Sequence, residues 1–427
     1  MTPGPMSFAR PPDELCSALA SPRASLALAA RRPTLESASL PGRLLRLAVV
    51  AAFPFPVPQG SQVYVREQLL ALARAGSEPT LLCYGNGSGP LPEGIACLRV
   101  PAALSPRRTR AGPSAAKLLA DPALAGLLAT AHRRRPFDAV LAHNAEAALA
   151  TLAVRSIVRR PVVYVVHTLW GEELACYVPA PLARAAVAVG TRLDRALAAR
   201  ADGVLALCEA AARRLAPFAR GPLRVIPPGL EPQPPPAQEE CLRACARAGV
   251  RPGGFALYAG NLDRYQDLGD LERAARAVPE LPLLVATHAE PPRSRGALRF
   301  VRVADASEAR ALLFAAAVAV LPRRRPGGFP IKLLNYMEAA RPIVAHRDVA
   351  DGLLHGVSAW LLAPDAGPEA LAAALRGLAA DPALAGRLAA GARAVLAARH
   401  AWPELARRTL ELVAEVLPAV PLRPARR

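Results

Sequence analysis

Short apolar runs alternate with amphipathic stretches from about residue 44 onward. Residues 46–53 form a continuous apolar run, and a Pro- and Gly-containing loop then leads into an amphipathic stretch that starts at Gly60 and Ser61. Further apolar runs follow at 79–84, 137–143, 161–167, 202–207 and 223–228. Continuous apolar runs predict strands buried on both faces, and the stretches between them predict helices. Their alternation predicts a parallel sheet with right-handed crossovers.

A Pro-rich, polar segment at 228–240 interrupts this alternation and is typical of a linker. The pattern then restarts with predicted strands at 254–260, 282–288, 298–303, 317–322 and 342–346, and predicted helices near 268–277, at 306–315 and from Ile331. The sequence therefore predicts two successive doubly wound α/β domains that face each other across a cleft. In such sheets ligands bind beyond the carboxyl ends of the strands.

These patterns divide the chain into four parts. We predict a disordered N-terminal extension at 1–43, an N-terminal domain at 44–228, a C-terminal domain at 229–399 and a terminal helix at 400–427. Residues 1–43 have no apolar core of the kind that a secretory signal needs. Asp121-Pro122 and Asp381-Pro382 each predict a helix start, with Asp at the N-cap and Pro at the first helical position.

The formal net charge of +19 raises the question of a nucleic-acid partner. All basic residues except Lys117 and Lys332 are Arg, which indicates a coding bias, and the densest basic runs, 133–135 and 323–325, are short. No aromatic-studded basic strand accompanies them, so nucleic-acid binding is not expected. The positive field favours anionic lipid head groups or phosphorylated substrates instead.

Cysteine usage and hydropathy indicate the compartment. The seven Cys are scattered, and the close pair Cys241 and Cys245 has no second pair with which to complete a zinc site. No run approaches the ~20 apolar residues of a membrane helix. We therefore expect a cytoplasmic protein, with peripheral association at the inner face of the membrane left open.

Two loops after predicted strands carry candidate chemistry in the first half. Gly60 and Ser61 open a helix whose N–H groups can face a phosphate or a sugar hydroxyl, although a tight turn with Ser61 as N-cap explains them equally well. No GxGxxG precedes this helix, which argues against a dinucleotide-binding oxidoreductase. His143 and His167 each end a strand. We interpret His143 as structural, and His167, which is followed by Thr168 and two Glu, as functional.

The segment 327–346 (GGFPIKLLNYMEAARPIVAH) is the densest signal. Its Gly and Pro lead into a helix, so the backbone of Phe329, Pro330 and Ile331 is expected to meet an anion at the helix start. Lys332 opposes the helix dipole there unless an anion compensates. The alternative is a solvent-facing Lys on an ordinary helix.

This segment resembles the donor-site motif of family 4 glycosyltransferases. FPFPVPQGSQVYVRE (53–67) is similar to the first Gly-rich loop of that family, VVYVVHT (162–168) to its inner-strand His, VIPPGL (225–230) to its interdomain segment and YAGNLDRYQDLGDLERA (258–274) to its diphosphate-binding strand and loop. Order and approximate spacing match over about residues 45–410. The resemblance implies the GT-B fold, in which two Rossmann-like domains face across a cleft and a terminal helix crosses back to the N-terminal domain.

The chain departs from the family pattern at four positions. The two Glu of the motif, eight positions apart, fall on Gly327 and Asn335. The Arg and Lys that typically hold the diphosphate fall on Asn261 and Gln266. Arg264, one of the Arg at 323–325, or Lys332 can supply the missing positive charge.

The resemblance implies sugar transfer from a nucleoside-diphosphate sugar to a glycan, lipid-linked or other hydroxyl acceptor, with retention and without a metal or cofactor. It assigns His167 to the sugar or acceptor, Asn335 to the ribose and a donor-binding set to the phosphates: Gly60, Ser61, Asn261, Arg264, Gln266, Phe329, Pro330, Ile331 and Lys332. Two alternatives stay open. One is a degenerate protein that binds a nucleotide sugar or a partner enzyme without turnover, and the other is a sugar-nucleotide epimerase with Glu172 and Glu173 as acid and base.

Overall fold

The structure, a computed structural model, describes residues 44–57, 60–106, 117–290 and 296–418. The predicted N-terminal extension at 1–43 lies outside these residues, and so does the side chain of Arg264. The described residues from Leu44 onward form one compact unit. The division at 228/229 therefore stays a prediction, although two separate sheets lie on either side of it.

The first half of the chain forms a seven-stranded parallel sheet in the order β3-β2-β1-β4-β5-β6-β7. Its strands are β1 (Leu45–Pro54), β2 (Ser77–Tyr84), β3 (Ala96–Arg99), β4 (Ala139–His143), β5 (Val162–Val166), β6 (Gly203–Ala206) and β7 (Leu223–Val225). Its helices are α1 (Gly60–Arg74), α2 (Lys117–Arg134), α3 (Asn144–Ala153), α4 (Arg155–Val158), α5 (Trp170–Glu173), α6 (Ala183–Arg200) and α7 (Glu209–Leu215), with 3-10 turns at Ala102–Leu104, Leu174–Cys176 and Ala180–Leu182. Strands β1, β4, β5 and β6 are almost fully buried, as their continuous apolar runs require.

The second half repeats this design in a six-stranded parallel sheet with the order β10-β9-β8-β11-β12-β13. Its strands are β8 (Ala256–Ala259), β9 (Leu283–Thr287), β10 (Arg299–Arg302), β11 (Val318–Leu321), β12 (Ile343–His346) and β13 (Trp360–Leu362). Its helices are α8 (Gln238–Ala248), α9 (Leu268–Ala277), α10 (Ala306–Ala315), α11 (Lys332–Glu338), α12 (Pro368–Ala380) and α13 (Pro382–Arg399), with 3-10 turns at Arg264–Gln266 and Arg347–Val349. The predicted pair of doubly wound parallel-sheet domains is confirmed.

The sequence analysis missed two strands at the sheet edges, β3 and β13. Strand β3 has no continuous apolar run because its four residues are exposed or only half-buried. Strand β13 has three residues, and its backbone pairs with a single neighbour, β12. Edge strands of this length leave too little hydrophobic pattern to detect.

One of the two predicted Asp-Pro helix starts is wrong. Asp381 accepts a hydrogen bond from the N–H of Leu384 and begins α13 as predicted. Pro122, however, lies inside α2, which is already helical at Lys117. The Asp121 carboxylate does not cap a helix but accepts a hydrogen bond from the hydroxyl of Tyr84. In the same turn, Lys117 Nζ pairs with Glu146 Oε1 at 2.7 Å. These tertiary contacts hold the turn before the proline.

The last helix, α14 (Trp402–Val416), packs on α1 and β6 of the first sheet. Trp402 is buried against the ring of Tyr64, with 5.7 Å between ring centroids. A Cβ built on Gly229 would lie 2.6 Å from the indole of Trp402, so only glycine fits at this position of the linker. Within the described chain, no helix is both long and apolar enough to span a membrane.

Candidate active site between the two sheets

Backbone from the two sheets meets directly beyond the carboxyl end of β5. Thr168 and Gly328 form an antiparallel bridge, and the N–H of Leu169 donates to the carbonyl of Gly327 at 2.8 Å. A Cβ on Gly328 would lie 2.2 Å from the His167 carbonyl oxygen. The Gly pair that precedes the donor-site motif is thus what allows the two halves to approach this closely.

Glu172 occupies the space beside Gly327, the position of the first Glu in the family motif. A Cβ at Gly327 would lie 2.6 Å from the Cβ of Glu172, whose carboxylate pairs with Arg214. The first motif Glu is thus absent, and the side chain of Glu172 from the other half of the chain packs against its position.

His143 and His167 form a buried pair at the ends of the adjacent strands β4 and β5. Their Nδ1 and Nε2 atoms, respectively, are 2.9 Å apart, and the ring of Tyr64 packs edge-on against His167 with 5.0 Å between centroids. Burial lowers the pKa of His167 to about 3 and lowers that of His143 well below its usual range, to which His167 also contributes. Both imidazoles are neutral near pH 7. The structural role expected for His143 stays a prediction, and within the described part of the chain its buried Nε2 has no hydrogen-bond partner.

Lys332, the first residue of α11, turns its amine toward the carboxyl end of β8. Nζ donates to the hydroxyl of Tyr258 at 2.7 Å and to Oε1 of Gln266 at 3.1 Å. Gln266 in turn donates to Oδ1 of Asn261 at 2.8 Å. Gly260 leaves room for the amine, because a Cβ there would lie 2.6 Å from Nζ. Asn261 and Gln266, which stand where the family has Arg and Lys, are thus connected by hydrogen bonds to Lys332 of α11.

The electrostatics of this amine are unusual. The pKa of Lys332 is lowered from 10.5 to about 7, chiefly by burial and also by repulsion from Arg323, while Asp263 acts in the opposite direction. The guanidinium of Arg323 lies over the ring of Tyr265, 5.4 Å from its centroid. An anion bound beside Lys332 and Arg323 would stabilise the protonated amine. The site is therefore poised to gain positive charge when an anion arrives.

The Arg run at 323–325 is divided among three surroundings. Arg323 is the member that acts on Lys332. The side chain of Arg324 pairs with Asp270, and Nη1 of Arg325 reaches the Sγ of Cys176 in the other half of the chain at 3.0 Å. Arg324 is already neutralised, which leaves Arg323 as the member of the run best placed to assist the lysine.

The remaining predicted residues lie at the start of α1, in the loop before α11 and on α11 itself. A Cβ on Gly60, at the start of α1, would touch Cγ1 of Ile331 at 3.5 Å, so these two predicted residues are neighbours, and Ser61 follows in the first turn. The ring of Phe329 packs on His400, with centroids 5.5 Å apart, and Pro330 has no N–H to offer an anion. Asn335 is exposed on α11. Which of these side chains touch a substrate stays a prediction.

The sequence analysis missed two groups in this region. Tyr258, at the end of β8, holds the amine of Lys332, and the rule that ligand loops follow parallel strands already pointed to that position. Tyr177 donates to Oε1 of Glu173 at 2.8 Å, and burial raises the pKa of that carboxyl. Among the residues that the structure describes, no group of three His, Cys, Asp or Glu is placed to hold a metal ion.

Two family models match successive parts of the chain. Residues 58–234 match the model described as Glycosyltransferase Family 4, and residues 254–381 match the one described as Glycosyl transferases group 1. A search of curated protein sequences found no match.

Solved structures share the fold at low sequence identity. Sucrose-phosphate synthase from Thermosynechococcus elongatus is 21% identical with a TM-score of 0.69, covering 86% of this chain and 98% of that one. HepE from Anabaena in complex with UDP-glucose is 15% identical, with a TM-score of 0.64 and coverage of 87% and 99%. WaaG, a glycosyltransferase involved in lipopolysaccharide biosynthesis, is 16% identical, with a TM-score of 0.62 and coverage of 86% and 99%.

Proposed function

Because this chain belongs to the family 4 type of GT-B glycosyltransferases, we propose that it transfers a hexosyl group from a nucleoside-diphosphate sugar, with retention and without a metal ion. The observation that carries the proposal is the amine of Lys332, held by Tyr258 and Gln266 beside Arg323. HepE, which has the same fold, was solved with UDP-glucose, and this supports a donor of that class.

In this proposal the second sheet binds the leaving group. Breaking the glycosidic bond builds negative charge on the diphosphate, and a preorganised cation lowers the barrier by stabilising that charge. Lys332 and Arg323 supply the charge, while Gln266 and Asn261 orient the amine. The leaving phosphate accepts the proton of the acceptor hydroxyl as the new bond to the sugar forms on the same face, so no enzymic base is required.

The first sheet meets the sugar and the acceptor. His167, at the end of β5, contacts the transferred sugar, and the helix start at Gly60 faces a phosphate or a hydroxyl. Asn335 hydrogen-bonds the ribose in place of the family's second Glu. The acceptor is a hydroxyl of a glycan or a lipid-linked sugar, and the shared fold with WaaG, which takes part in lipopolysaccharide biosynthesis, supports this class.

A panel of nucleoside-diphosphate sugars, each incubated with the full chain in the presence of EDTA, tests the proposal. Slow release of nucleoside diphosphate, with retention of anomeric configuration in any glycoside formed, is the expected result. Release that requires a divalent cation would contradict the metal-free part, and an inverted product would contradict retention. Interconversion of the sugar without release would instead indicate an epimerase.

A second candidate is a binding protein without turnover. The observation that favours it is the loss of both motif Glu, one of them at Gly327, where Glu172 of the other half fills the space. This candidate predicts donor binding by calorimetry with no nucleoside diphosphate released, which the same panel detects.

Peripheral association with an anionic membrane is also part of the proposal. The 3-10 turn before α6 and the first half of α6 expose Leu182, Val187 and Val189 beside Arg184 and Arg192. Apolar side chains next to Arg favour the interface of a bilayer with anionic lipids. Sedimentation with phosphatidylserine vesicles should fall by about fivefold in Arg184→Ala, because one Arg near such a surface is worth about 1 kcal/mol. Equal sedimentation with neutral vesicles would contradict this association.

A further inference from the structure

The buried pair His143 and His167 carries information about where their protons lie. Nδ1 of His143 and Nε2 of His167 lie at hydrogen-bond distance, 2.9 Å. The contact is fixed by the sheet, because β4 and β5 pair in parallel register with His143 opposite Val165 and His167 directly after β5. Each ring is buried, and Tyr64 of α1 packs against both.

Both rings are neutral, since burial lowers the pKa of each. A neutral imidazole carries one proton, so one nitrogen of each ring donates and the other accepts. The contact between the two rings therefore has two possible arrangements. Either His143 donates from Nδ1 to Nε2 of His167, or His167 donates from Nε2 to Nδ1 of His143.

The far nitrogen of His143 distinguishes these arrangements. His143 is fully buried, and none of the residues that the structure describes offers a hydrogen-bond partner to its Nε2. If His167 were the donor, His143 would carry its proton on Nε2 and bury an unsatisfied N–H. Buried N–H groups without a partner are rarer in proteins than under-satisfied acceptors. The proton of His143 consequently belongs on Nδ1, where it has an acceptor.

We propose that His143 is a positioning residue that donates from Nδ1 to Nε2 of His167 and thereby places the proton of His167 on Nδ1. Nε2 of His167 is then occupied as an acceptor, and Nδ1 is the ring nitrogen left for a substrate. His167 meets the substrate as an N–H donor and does not act as a base. This inference rests on the proposed sugar transfer for its consequence, and it agrees with a leaving phosphate that takes the acceptor proton.

The proton positions are measured directly by NMR of the full chain labelled with ¹⁵N-histidine. Long-range ¹H–¹⁵N correlations distinguish the two tautomers, and His143→Gln and His167→Gln assign the two rings. The expected result is Nδ1–H for both rings, unchanged between about pH 6 and pH 8 because neither ring gains a proton there. Nε2–H on either ring would overturn the proposal. Because this readout needs no turnover, it stands even if sugar transfer is never detected.

Two variants then test the positioning role. His143→Asn keeps an N–H that can donate to Nε2 of His167, whereas His143→Asp offers only acceptor atoms and forces the opposite tautomer. We expect His143→Asn to retain the Nδ1–H form of His167 and most of kcat. We expect His143→Asp to show Nε2–H and to lose roughly tenfold in kcat, with little change in donor KM. Equal kcat in the two variants would overturn the positioning role.

His346→Asp is the matched control for the cost of a buried carboxylate at a strand end. His346 ends β12 of the second sheet, is 3% exposed and contacts the carbonyl oxygen of Ala363 through Nδ1. This variant should lower the melting temperature without changing the tautomer of His167. If His143→Asp fails to fold while His346→Asp folds, the wild-type tautomers still decide the question.

Discussion

The two sheets present opposite kinds of polar group at equivalent places. At the ends of β4 and β5, two imidazoles are buried against Tyr64 and are neutral at physiological pH. Near the end of β8, the amine of Lys332 is held in a polar network and has a pKa of about 7. The two neutral imidazoles carry no charge with which to attract an anion. The amine of Lys332, in contrast, is held in its protonated form when an anion binds beside it. Under the proposed function, we therefore expect a neutral hydrogen-bond donor to meet the sugar and a cation to meet the phosphate.

The largest expected effect concerns the dependence of the first sheet on the terminal helix. Trp402→Ala removes a buried indole that packs on Tyr64, and large-to-small changes of this kind cost about 3–5 kcal/mol. Chemical denaturation should show that loss in the free energy of unfolding, and the ¹⁵N signals of His143 and His167 should shift. Donor affinity should change little, because Tyr64 and Gly229, on which Trp402 packs, are not part of the hydrogen-bond network of Lys332. A loss of donor affinity with unchanged histidine signals would break the comparison.

The next effect concerns the charge of the second sheet. Lys332→Ala removes a charge-assisted contact worth about 1.5–3 kcal/mol, so UDP or UDP-glucose should bind roughly tenfold to a hundredfold more weakly. Lys332→Arg should rescue this only in part, because a planar fork does not replace a compact ammonium. Calorimetry on the three proteins measures these differences.

Lys117, the other lysine of the chain, gives the matched control. It pairs with Glu146 in the first half, so Lys117→Ala should lower stability and leave donor affinity unchanged. Equal affinities of wild type and Lys332→Ala would mean that Lys332 is only a residue of its helix. The diphosphate would then have to be held by Arg264 or Arg323.

The smallest expected effect is a pH dependence confined to the second sheet. The amine is mostly protonated below pH 7, and a bound diphosphate favours the protonated form. Affinity for UDP-glucose should therefore be nearly constant below about pH 6.5 and fall by up to about tenfold per pH unit above 7.5. At about pH 8 binding should take up a proton, which calorimetry in buffers of different ionisation enthalpy detects.

Lys332→Arg controls this dependence, because Arg stays charged throughout the range. Its affinity should be flat with pH. If donor affinity depended on pH in Lys332→Arg as it does in wild type, the titrating group would be a residue other than Lys332. The charge contrast between the two sheets would then no longer rest on Lys332.

The fold and the general location of the site could be read from the sequence. The strands in runs such as 46–53 and 161–167 are buried on both faces, and burial on both faces requires a continuous apolar sequence. The Pro-rich segment at 228–240 separates the two sheets along the chain. Parallel strands align their carboxyl ends, and for that reason His167 and the segment near Lys332 could be assigned to one region. The edge strands β3 and β13 were not predicted, because β3 is exposed or half-buried and β13 has only three residues.

Tertiary structure alone decided the partners of each group. Nothing local in the sequence indicates that Lys332 would reach Tyr258 and Gln266, that Glu172 would stand beside Gly327, or that His143 would hold His167. Each of these pairs joins residues from different elements, and side-chain periodicity reports only which face of one element is buried. The pKa of Lys332 and the proton position of His167 follow from such contacts, because burial and hydrogen-bond partners set them, and these exist only once each sheet has formed with the helices and loops around it.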